Sequence, residues 1–236
     1  MNNPRFSISE RIKAVVDEIK YPVIADIGCD HAYTSIYSLL TGKAAYAYAC
    51  DINKGPLKHA ENNILKNKLS HKIEVRLGPG LLPLCGVNVE TIIISGMGGF
   101  LTERILSEGL VLVPGVEQLI LQPQSDFRKV REYIHKAGFR IVSEHMLNDG
   151  PKFYTILNCL RGTDSPYSLA ENEFGRVSLQ KCYSVFFQFI KAEISKTEII
   201  LREISESGAK PQSRRQELTE RLGMLRRIYG ASIEGK

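Results

Sequence analysis

Apolar residues in the first two thirds of the chain alternate between two spacings, and each spacing predicts one kind of element. Short β-branched or apolar runs predict the strands Val23–Ala25, Ala44–Cys50, Ile73–Leu77, Thr91–Ile94 and Gln118–Gln122. Helical spacing predicts the helices Tyr33–Leu40, Pro56–Lys68, Leu101–Leu106 and a last one from the cap Asp126 to His135. Strands that alternate with helices in this way indicate a parallel sheet covered on both faces.

The pattern changes at both ends of this alternating region. Upstream, Ser7 and Glu10 have the spacing of a capping box. It precedes a helical run of the apolar residues Ile8, Ile12, Val15, Val16 and Ile19. Downstream, Phe139–Ser143 and Phe153–Leu157 predict two strands joined by turn residues at Asn148–Pro151. A sheet that closes with such an antiparallel strand is typical of methyltransferases, whereas dinucleotide-dependent dehydrogenases continue with parallel crossovers.

The C-terminal part of the chain is predicted to be helical. Residues 162–167 resemble a linker, a helix is predicted from about Ala170 to Glu206, and a second follows the break at Ser207–Pro211 and runs to about Tyr229. Each helix carries an apolar stripe, formed by Phe174, Val177, Val185, Phe189, Ile200 and Ile204 on the first and by Leu218, Leu222, Leu225 and Tyr229 on the second. These stripes predict an antiparallel hairpin packed as a coiled coil.

Composition excludes several classes of protein. Of 236 residues, 43% are hydrophobic and 24% charged, which suits a globular chain that needs no metal or disulfide to fold. The five cysteines are scattered without a C-x-x-C pair, so we expect reduced thiols and no zinc site. Neither a signal peptide nor an apolar run of about 20 residues is present. We expect a cytoplasmic monomer or weak dimer that binds no metal and no membrane.

The turn Asp26-Ile27-Gly28-Cys29-Asp30-His31-Ala32, after the first predicted strand, is the first candidate site. A dinucleotide site would have the pattern G-x-G-x-x-G, with a helix N-terminus facing the pyrophosphate. Here one glycine stands between two carboxylates, which would repel pyrophosphate. They suit a ligand with an ammonium group, such as the methionine end of S-adenosylmethionine. The alternative is a plain strand-to-helix turn in which Asp30 caps the helix.

Three further turns follow predicted strands. Asp51, 25 residues after Asp26, could accept hydrogen bonds from both ribose hydroxyls of an adenosine-containing ligand, or could serve as a cap. The glycines of Gly78–Leu81 would allow an adenine ring to lie against the backbone, or would form an ordinary β-turn. Ser95–Gly99 places three glycines at the carboxyl end of a central strand, where α/β sheets bind ligands. This last turn lacks the lysine of a P-loop.

Together these motifs resemble a known family. The segments Asp26–Tyr33, Gly55–Leu57, Gly96–Gly99, Leu121–Pro123 and Lys152–Tyr154 occur in the order and spacing of the bacterial tRNA (adenine-22 N1)-methyltransferase family. The resemblance spans about residues 5–160, and the tail is similar to that family's coiled-coil domain. It implies an α/β fold, with a Rossmann-like class I methyltransferase sheet and terminal antiparallel strand in residues 1–162 and an α-helical coiled-coil hairpin in residues 168–236.

The resemblance also implies a reaction, methyl transfer from S-adenosylmethionine to N1 of an adenine in tRNA. The cofactor-binding residues would be Asp26, Gly28, Cys29, Asp51, Ile52, Gly78, Pro79, Gly80, Leu81, Ser95, Gly96 and Met97. The residues that contact RNA would be Gly98, Gly99, Arg128, Arg131, Lys152 and Tyr154. The family usually has an acidic residue at the position of Pro79. The contact that this residue makes with the adenine amino group must therefore come from the backbone or from elsewhere.

Adenine N1 carries a lone pair at neutral pH, so the reaction requires an in-line approach to the sulfonium methyl group more than a strong base. The alkylated base is initially cationic. Asp26 and Asp30 are therefore candidates for electrostatic support, and His31 or Tyr33 for positioning the base. A purely structural role for His31 is an equal alternative.

Basic residues of the tail could hold the tRNA backbone, namely Lys191, Lys196, Arg202, Arg214, Arg215, Arg221, Arg226 and Arg227. From Ser165 onward the chain has 12 Lys and Arg against 9 Asp and Glu, which is equally typical of a solvated helix face. The net charge of +5 permits an RNA partner without requiring one. Two other functions stay open on these grounds, a small-molecule methyltransferase and a non-catalytic protein that binds S-adenosylmethionine or RNA.

Overall fold

The computed structural model describes residues 7–150, 152–181, 184–207 and 212–234. Contacts divide the chain into two compact units, Met1–Pro166 and Tyr167–Lys236. The strands of the first unit are β1 Val23–Ile27, β2 Tyr46–Asp51, β3 Ile73–Leu77, β4 Thr91–Ser95, β5 Gln118–Gln122, β6 Phe139–Asp149 and β7 Lys152–Arg161. Its helices are α1 Glu10–Asp17, α2 Tyr33–Leu40, α3 Lys54–Lys66, α4 Gly99–Gly109 and α5 Phe127–Lys136. The second unit contains α6 Leu169–Phe174, α7 Arg176–Lys181, α8 Ser184–Ser207 and α9 Gln212–Glu234.

The seven strands form one sheet in the order β3-β2-β1-β4-β5-β7-β6. Strands β1 to β5 are parallel, and β7 runs antiparallel between β5 and β6. The direction in which the chain is wound reverses between β1 and β4, and ligands of open α/β sheets bind at the carboxyl ends of the strands at such a point. The predicted Rossmann-like sheet with a terminal antiparallel strand is confirmed.

The central strands are apolar on both faces because helices cover the sheet on each side. Ile24 in β1, Ile92 and Ile93 in β4, and Leu119 and Ile120 in β5 are fully buried. Helix α2 and strands β3 and β5 begin and end at the predicted residues. The hairpin of β6 and β7 is longer than predicted, and Pro151 in its turn lies outside the described residues.

Two predicted helix caps are wrong. Helix α1 begins at Glu10, so Ser9 is its N-cap in place of Ser7, and the Ser9 hydroxyl accepts a hydrogen bond from the Ile12 N–H at 3.4 Å. Asp126 precedes α5 with φ of 52° and makes no capping hydrogen bond. Its carboxylate instead accepts a hydrogen bond from the Ser125 hydroxyl at 2.6 Å, which turns the side chain away from the helix N-terminus.

The single long helix predicted for the second unit is also wrong. Helix α6 ends at Phe174, and Gly175 has φ of 91°, a conformation that interrupts the helix before α7 begins. Helix α9 continues beyond the predicted end at Tyr229 to Glu234. Residues 208–211 of the predicted break and Cys182 lie outside the described part of the chain.

Helices α8 and α9 run antiparallel, since the Phe187 ring near the start of α8 lies 5.0 Å from the Tyr229 ring near the end of α9. The buried stripe on α8 consists of Phe186, Ile190, Thr197 and Ile204, so the predicted Val185 and Phe189 are one position off. The predicted stripe contained apolar residues only and therefore left out Thr197, which is buried. The Thr197 hydroxyl donates to the Glu193 carbonyl at 2.7 Å, which allows Thr197 to be buried. Coiled-coil packing of the hairpin stays a prediction.

A buried ion pair joins helix α5 to strand β6. The Arg131 Nε donates to the Glu144 Oε1 at 2.8 Å, and the two side chains are 2% and 0% exposed. On the same helix, Arg128 forms an exposed pair with Glu132 at 2.7 Å. Helix α5 therefore offers a buried pair and an exposed pair for direct comparison.

We expect Arg131→Met to lower the free energy of unfolding by about 3–5 kcal/mol, because it leaves the Glu144 carboxylate buried without its partner. The matched variant Arg128→Gln should cost less than about 1 kcal/mol. Calorimetric unfolding of the full chain measures both. Equal losses in the two variants would contradict the assignment, and the double variant Arg131→Met/Glu144→Leu should recover much of the loss.

Candidate active site

A cleft of about 570 Å³ opens at the carboxyl ends of the central strands. Its volume lies in the range of small-molecule and cofactor sites, about 300–1,000 Å³. Four turns and helix α4 form its walls, and the lining includes Gly28, Asp51, Ile52, Gly78, Pro79, Gly80, Leu81, Met97, Arg104 and Glu108. The cofactor-binding residues predicted from the turns after β2 and β3 are thus brought together, and so are Gly28 and Met97.

Asp26 lies at the end of β1 and is 3% exposed. Burial raises the pKa of its carboxyl group to about 6, while the hydrogen bond from the Ser35 hydroxyl opposes the rise and the charge of Asp51 adds to it. The Ser35 hydroxyl donates to Oδ2 at 2.9 Å. A buried carboxylate is unfavourable without a cation. Asp26 is not among the residues that line the cleft, but it lies one and two positions before the lining residues Ile27 and Gly28. Its role in holding the methionine end of S-adenosylmethionine stays a prediction.

The turn after β1 is conformationally strained. Gly28, Asp30 and Ala32 have φ of 72°, 48° and 56°, in the left-handed region that residues other than glycine rarely adopt. The backbone N–H groups of Gly28 and Cys29 donate to the Cys50 carbonyl at 2.8 and 3.0 Å, which fastens the turn to β2. Strain of this kind is held at functional sites when the surrounding structure fixes it.

Gly28 is also the point of closest approach between the turns after β1 and β4. A Cβ atom at Gly28 would lie 2.3 Å from the Met97 Cε, so a larger residue would displace Met97. Cys29 is buried behind this contact, and burial raises the pKa of its thiol, which excludes a thiolate there. Gly28 and Met97 together form one wall of the cleft.

Asp51 ends β2 and is 8% exposed. Its Oδ1 accepts a hydrogen bond from the Asn53 N–H at 2.9 Å, and its Oδ2 lies 3.4 Å from the Asp30 N–H. Each carboxylate oxygen can accept a second hydrogen bond. Asp51 is thus not the helix cap, which is Asn53, although it orders the segment that leads into α3. Its carboxylate can still accept further hydrogen bonds, and its role in binding a ribose stays a prediction.

The glycine turn after β4 is partly a packing device. Gly98 is the N-cap of α4 and Gly99 is its first residue, two positions before the predicted start. A Cβ at Gly99 would lie 2.5 Å from the Ser125 carbonyl oxygen. Gly99 is therefore buried against the turn after β5, and its predicted contact with RNA is wrong. Ser95, Gly96 and Gly98 are half-buried at the edge of the crevice.

Sequence reasoning missed a polar cluster on the acceptor side of this turn. The Arg11 Nη1 donates to the Ser95 hydroxyl and to the Gln122 Oε1, both at 2.9 Å. The Ser95 hydroxyl donates to the same Gln122 oxygen at 3.1 Å. Arg11 also lies 5.6 Å from the centre of the Tyr154 ring. The one signal in the sequence was Gln122, a polar residue at the end of an apolar strand.

His31 and Tyr33 lie beside helix α3 and are not among the residues that line the cleft. Their rings stack with centroids 5.2 Å apart, and the His59 ring lies 5.3 Å from that of His31. The Asn63 side-chain amide donates to the His31 carbonyl at 3.1 Å. Asp30 is exposed, and its Oδ2 lies 3.6 Å from the His31 Nε2. The structure thus places these three predicted catalytic residues outside the cleft lining, and their catalytic roles stay predictions.

The predicted RNA-binding side chains have different surroundings. Arg131 is buried in its pair with Glu144 and is not available to a phosphate, so this prediction is wrong. Arg128 and Lys152 are exposed, although Arg128 is paired with Glu132. The sequence analysis did not single out Phe100, which is 56% exposed in the first turn of α4, with the Lys129 ammonium 4.0 Å from its ring centre.

Several basic residues predicted to hold the tRNA backbone are paired within the second unit. Arg221 forms ion pairs with Glu173 and Glu193. Arg226 pairs with Glu198, and Arg214 with Glu217, each at 2.8 Å. These pairs favour a solvated helix face for this part of α9 over a phosphate clamp.

Among the residues described by the structure, no helix is long and apolar enough to cross a membrane. Within the same residues, no cluster of three or more His, Cys, Asp or Glu side chains could hold a metal ion. The polar side chains that line the cleft belong to Asp51, Asn53, Arg104 and Glu108.

Comparison with known proteins gives a consistent result. Residues 24–227 match the model of a family described as tRNA (adenine(22)-N(1))-methyltransferase. The chain is 32% identical over 229 residues to the tRNA (adenine(22)-N(1))-methyltransferase of Bacillus subtilis, covering 94% of this chain and 96% of that protein.

Solved structures agree. A putative tRNA (m1A22) methyltransferase of Streptococcus pneumoniae, in complex with S-adenosyl-L-methionine, aligns with a TM-score of 0.83 at 32% identity, over 94% of this chain and 100% of that one. A protein of Mycoplasma capricolum in complex with S-adenosyl-homocysteine aligns with a TM-score of 0.83 at 26% identity, over 94% and 98%. This chain belongs to the tRNA (adenine(22)-N(1))-methyltransferase family.

Proposed function

We propose that this chain transfers a methyl group from S-adenosylmethionine to N1 of adenosine 22 in tRNA. The observation that carries the proposal is the buried Asp26 carboxylate, which lies at the switch point of the sheet beside an adenosine-sized cleft. Membership of the family supports the substrate. When bound, S-adenosylmethionine supplies an electrophilic methyl group on a sulfonium, so the acceptor nitrogen needs alignment more than activation.

On the cofactor side, each wall of the cleft would contact a different part of S-adenosylmethionine. Asp26 and the backbone at Gly28 hold the methionine end, and Asp51 accepts hydrogen bonds from the ribose hydroxyls. Ile52, 64% exposed, and the turn Gly78–Leu81 enclose the adenine. The Pro79 side chain cannot accept a hydrogen bond from the adenine amino group. Glu108 of α4 lines the same cleft and is a carboxylate that can accept this hydrogen bond.

On the acceptor side, the turn Ser95–Gly98 brings backbone close to the target base. Met97 packs against Gly28 and would form an apolar wall beside the reacting groups. The negative charge of Asp26, close to this point, favours the cationic methylated adenine as it forms. Adenosine 22 must leave its stack to reach this crevice, as bases modified inside folded nucleic acids do. Exposed Phe100 offers a face on which an unstacked base can lie.

The direct test uses labelled S-adenosylmethionine and a tRNA transcript with adenosine at position 22. We expect label in 1-methyladenosine, and none when adenosine 22 is replaced by guanosine. Nucleoside analysis by mass spectrometry identifies the product. Label on a small metabolite in place of tRNA would refute the proposal, and so would cofactor binding without any transfer.

Gly28→Ala should weaken cofactor binding and reduce turnover, because the new Cβ displaces the Met97 side chain from the cleft wall. The matched control is Gly42→Ala. Gly42 has nearly the same φ, 73° against 72°, but no atom lies within 4 Å of its Cβ position. Both variants carry the cost of a left-handed alanine, about 1–2 kcal/mol.

Isothermal titration with S-adenosylhomocysteine measures the binding of both glycine variants. An affinity that falls equally in both would show that backbone strain, and not the contact with Met97, is responsible.

We expect Asp26→Asn to have opposite effects on the stability of the cofactor-free fold and on its affinity for the cofactor. Because the folded-state pKa of about 6 lies above the ordinary value of 3.8, Asp26 stabilises the cofactor-free fold at low pH and loses this contribution as the pH rises through about 6. We therefore expect Asp26→Asn to melt at a higher temperature than wild type at neutral pH.

The same substitution should weaken cofactor binding by about tenfold or more, since a charged hydrogen-bond partner is lost. Wild-type affinity should also fall below about pH 6, by up to about tenfold per pH unit. Asp17→Asn, at an exposed carboxylate, is the control and should change neither property. Unchanged cofactor affinity in Asp26→Asn would exclude Asp26 as a ligand of the methionine end.

A further inference from the structure

Arg11 is held rigidly at the carboxyl ends of β4 and β5. Its Nη1 is bound by the Ser95 hydroxyl and the Gln122 amide oxygen, both at 2.9 Å. The helix that carries it is anchored at its other end, where the Glu18 carboxylate accepts hydrogen bonds from Ser143 and Asn158. The guanidinium is therefore positioned before any ligand arrives.

This guanidinium has no carboxylate in direct contact, although its charge acts on the Asp26 carboxylate from farther away. Within the described part of the chain, no Asp or Glu oxygen lies within 4.0 Å of it. Both of its hydrogen bonds use Nη1, and among the same residues Nε and Nη2 have no acceptor. A half-buried arginine usually has an acidic partner because its charge is costly to desolvate. Arg11 thus has a positive charge and N–H donors to offer to a ligand.

The adjacent backbone leaves room for that ligand. A Cβ at Gly96 would lie 3.8 Å from the Arg11 Nη1, so the absence of a side chain there leaves space beside the guanidinium. Gly96 directly precedes Met97 of the cofactor cleft. On its other side, Arg11 lies 5.6 Å from the Tyr154 ring centre. Arg11 therefore stands where the acceptor nucleotide would enter.

We propose that Arg11 binds a backbone phosphate of the tRNA beside the target adenosine. A guanidinium fits a phosphate through paired N–H donors, and a phosphate would place a negative charge in direct contact with it, whereas Asp26 acts on Arg11 only from beyond 4.0 Å. The base itself is neutral and would supply no such charge. This inference rests on the proposed function, and it makes Arg11 a substrate-binding residue that fixes the register of the extruded nucleotide.

Alternatively, Arg11 could serve only to support the turn after β4, and the two roles have different consequences. If Arg11 only supports the turn, its loss would disturb Ser95 and Met97 and thereby weaken cofactor binding. A lost phosphate contact would weaken tRNA binding alone and reduce its salt dependence by about one unit in the slope of log K against log salt.

The experiment compares Arg11→Gln with Lys13→Gln, which removes the same charge from the same helix at an exposed residue paired with Glu10. For Arg11→Gln we expect the KM for tRNA to rise about tenfold or more, a reduced salt slope, and S-adenosylhomocysteine affinity within about twofold of wild type. Lys13→Gln should leave the tRNA KM and the salt slope unchanged, and Arg11→Lys should restore part of the tRNA affinity. A parallel loss of cofactor affinity, or an unchanged slope in Arg11→Gln, would overturn the inference.

A neutral methylphosphonate placed on either side of adenosine 22 provides the second arm. It should weaken binding to wild type at one of the two positions and have no further effect on Arg11→Gln. If the methylphosphonate at either position weakened binding to Arg11→Gln as much as binding to wild type, the contact between Arg11 and a phosphate would be refuted. The proposed function would still hold if wild type methylated the unmodified tRNA. Absence of wild-type methylation would refute both.

Discussion

The buried carboxylate of Asp26 is the feature on which the arrangement of the site depends. It stands at the end of the central strand β1, almost inaccessible to solvent, and accepts hydrogen bonds from the hydroxyl and the backbone N–H of Ser35. Burial raises the pKa of this group to about 6, which means that the folded chain without a ligand holds the ionised form at a cost. A cationic ligand removes that cost. Ligand affinity and an unfavourable contribution to stability thus come from the same residue.

The rest of the site is built by close contacts between backbone segments at the switch point. Gly28 makes room for Met97, and Gly99 packs against the backbone of Ser125. These contacts join the turns after β1, β4 and β5 into one surface. Arg11 extends this surface by tying α1 to the ends of β4 and β5.

The sequence was sufficient for the sheet and for several of the residues that line the cleft, because both depend on local patterns. The β-branched run of β4 and the acidic turn at Asp26 can be recognised from neighbouring residues alone. Features formed by distant residues could not be recognised in this way. Arg11 meets Ser95 and Gln122 across 84 and 111 positions.

The same reason explains the errors. Arg131 has the spacing of a surface residue, and only its contact with Glu144 reveals that it is buried. Asp126 is a residue type that often caps helices, but its carboxylate accepts a hydrogen bond from the Ser125 hydroxyl and none from the N-terminus of α5. Thr197 was left out of the apolar stripe, although its bond to the Glu193 carbonyl satisfies its hydroxyl in the buried position.

The central claim is that the acidic turn at Asp26 holds the methionine end of the cofactor and that Asp51 holds its ribose. A crystal structure of the chain with S-adenosylhomocysteine tests this claim most directly. The account predicts ligand density in the cleft, with the amino group beside the turn Asp26–Gly28 and both ribose hydroxyls within hydrogen-bonding distance of the Asp51 carboxylate. A ligand bound with its ribose away from Asp51, or with its amino group turned away from the Asp26–Gly28 turn, would contradict it.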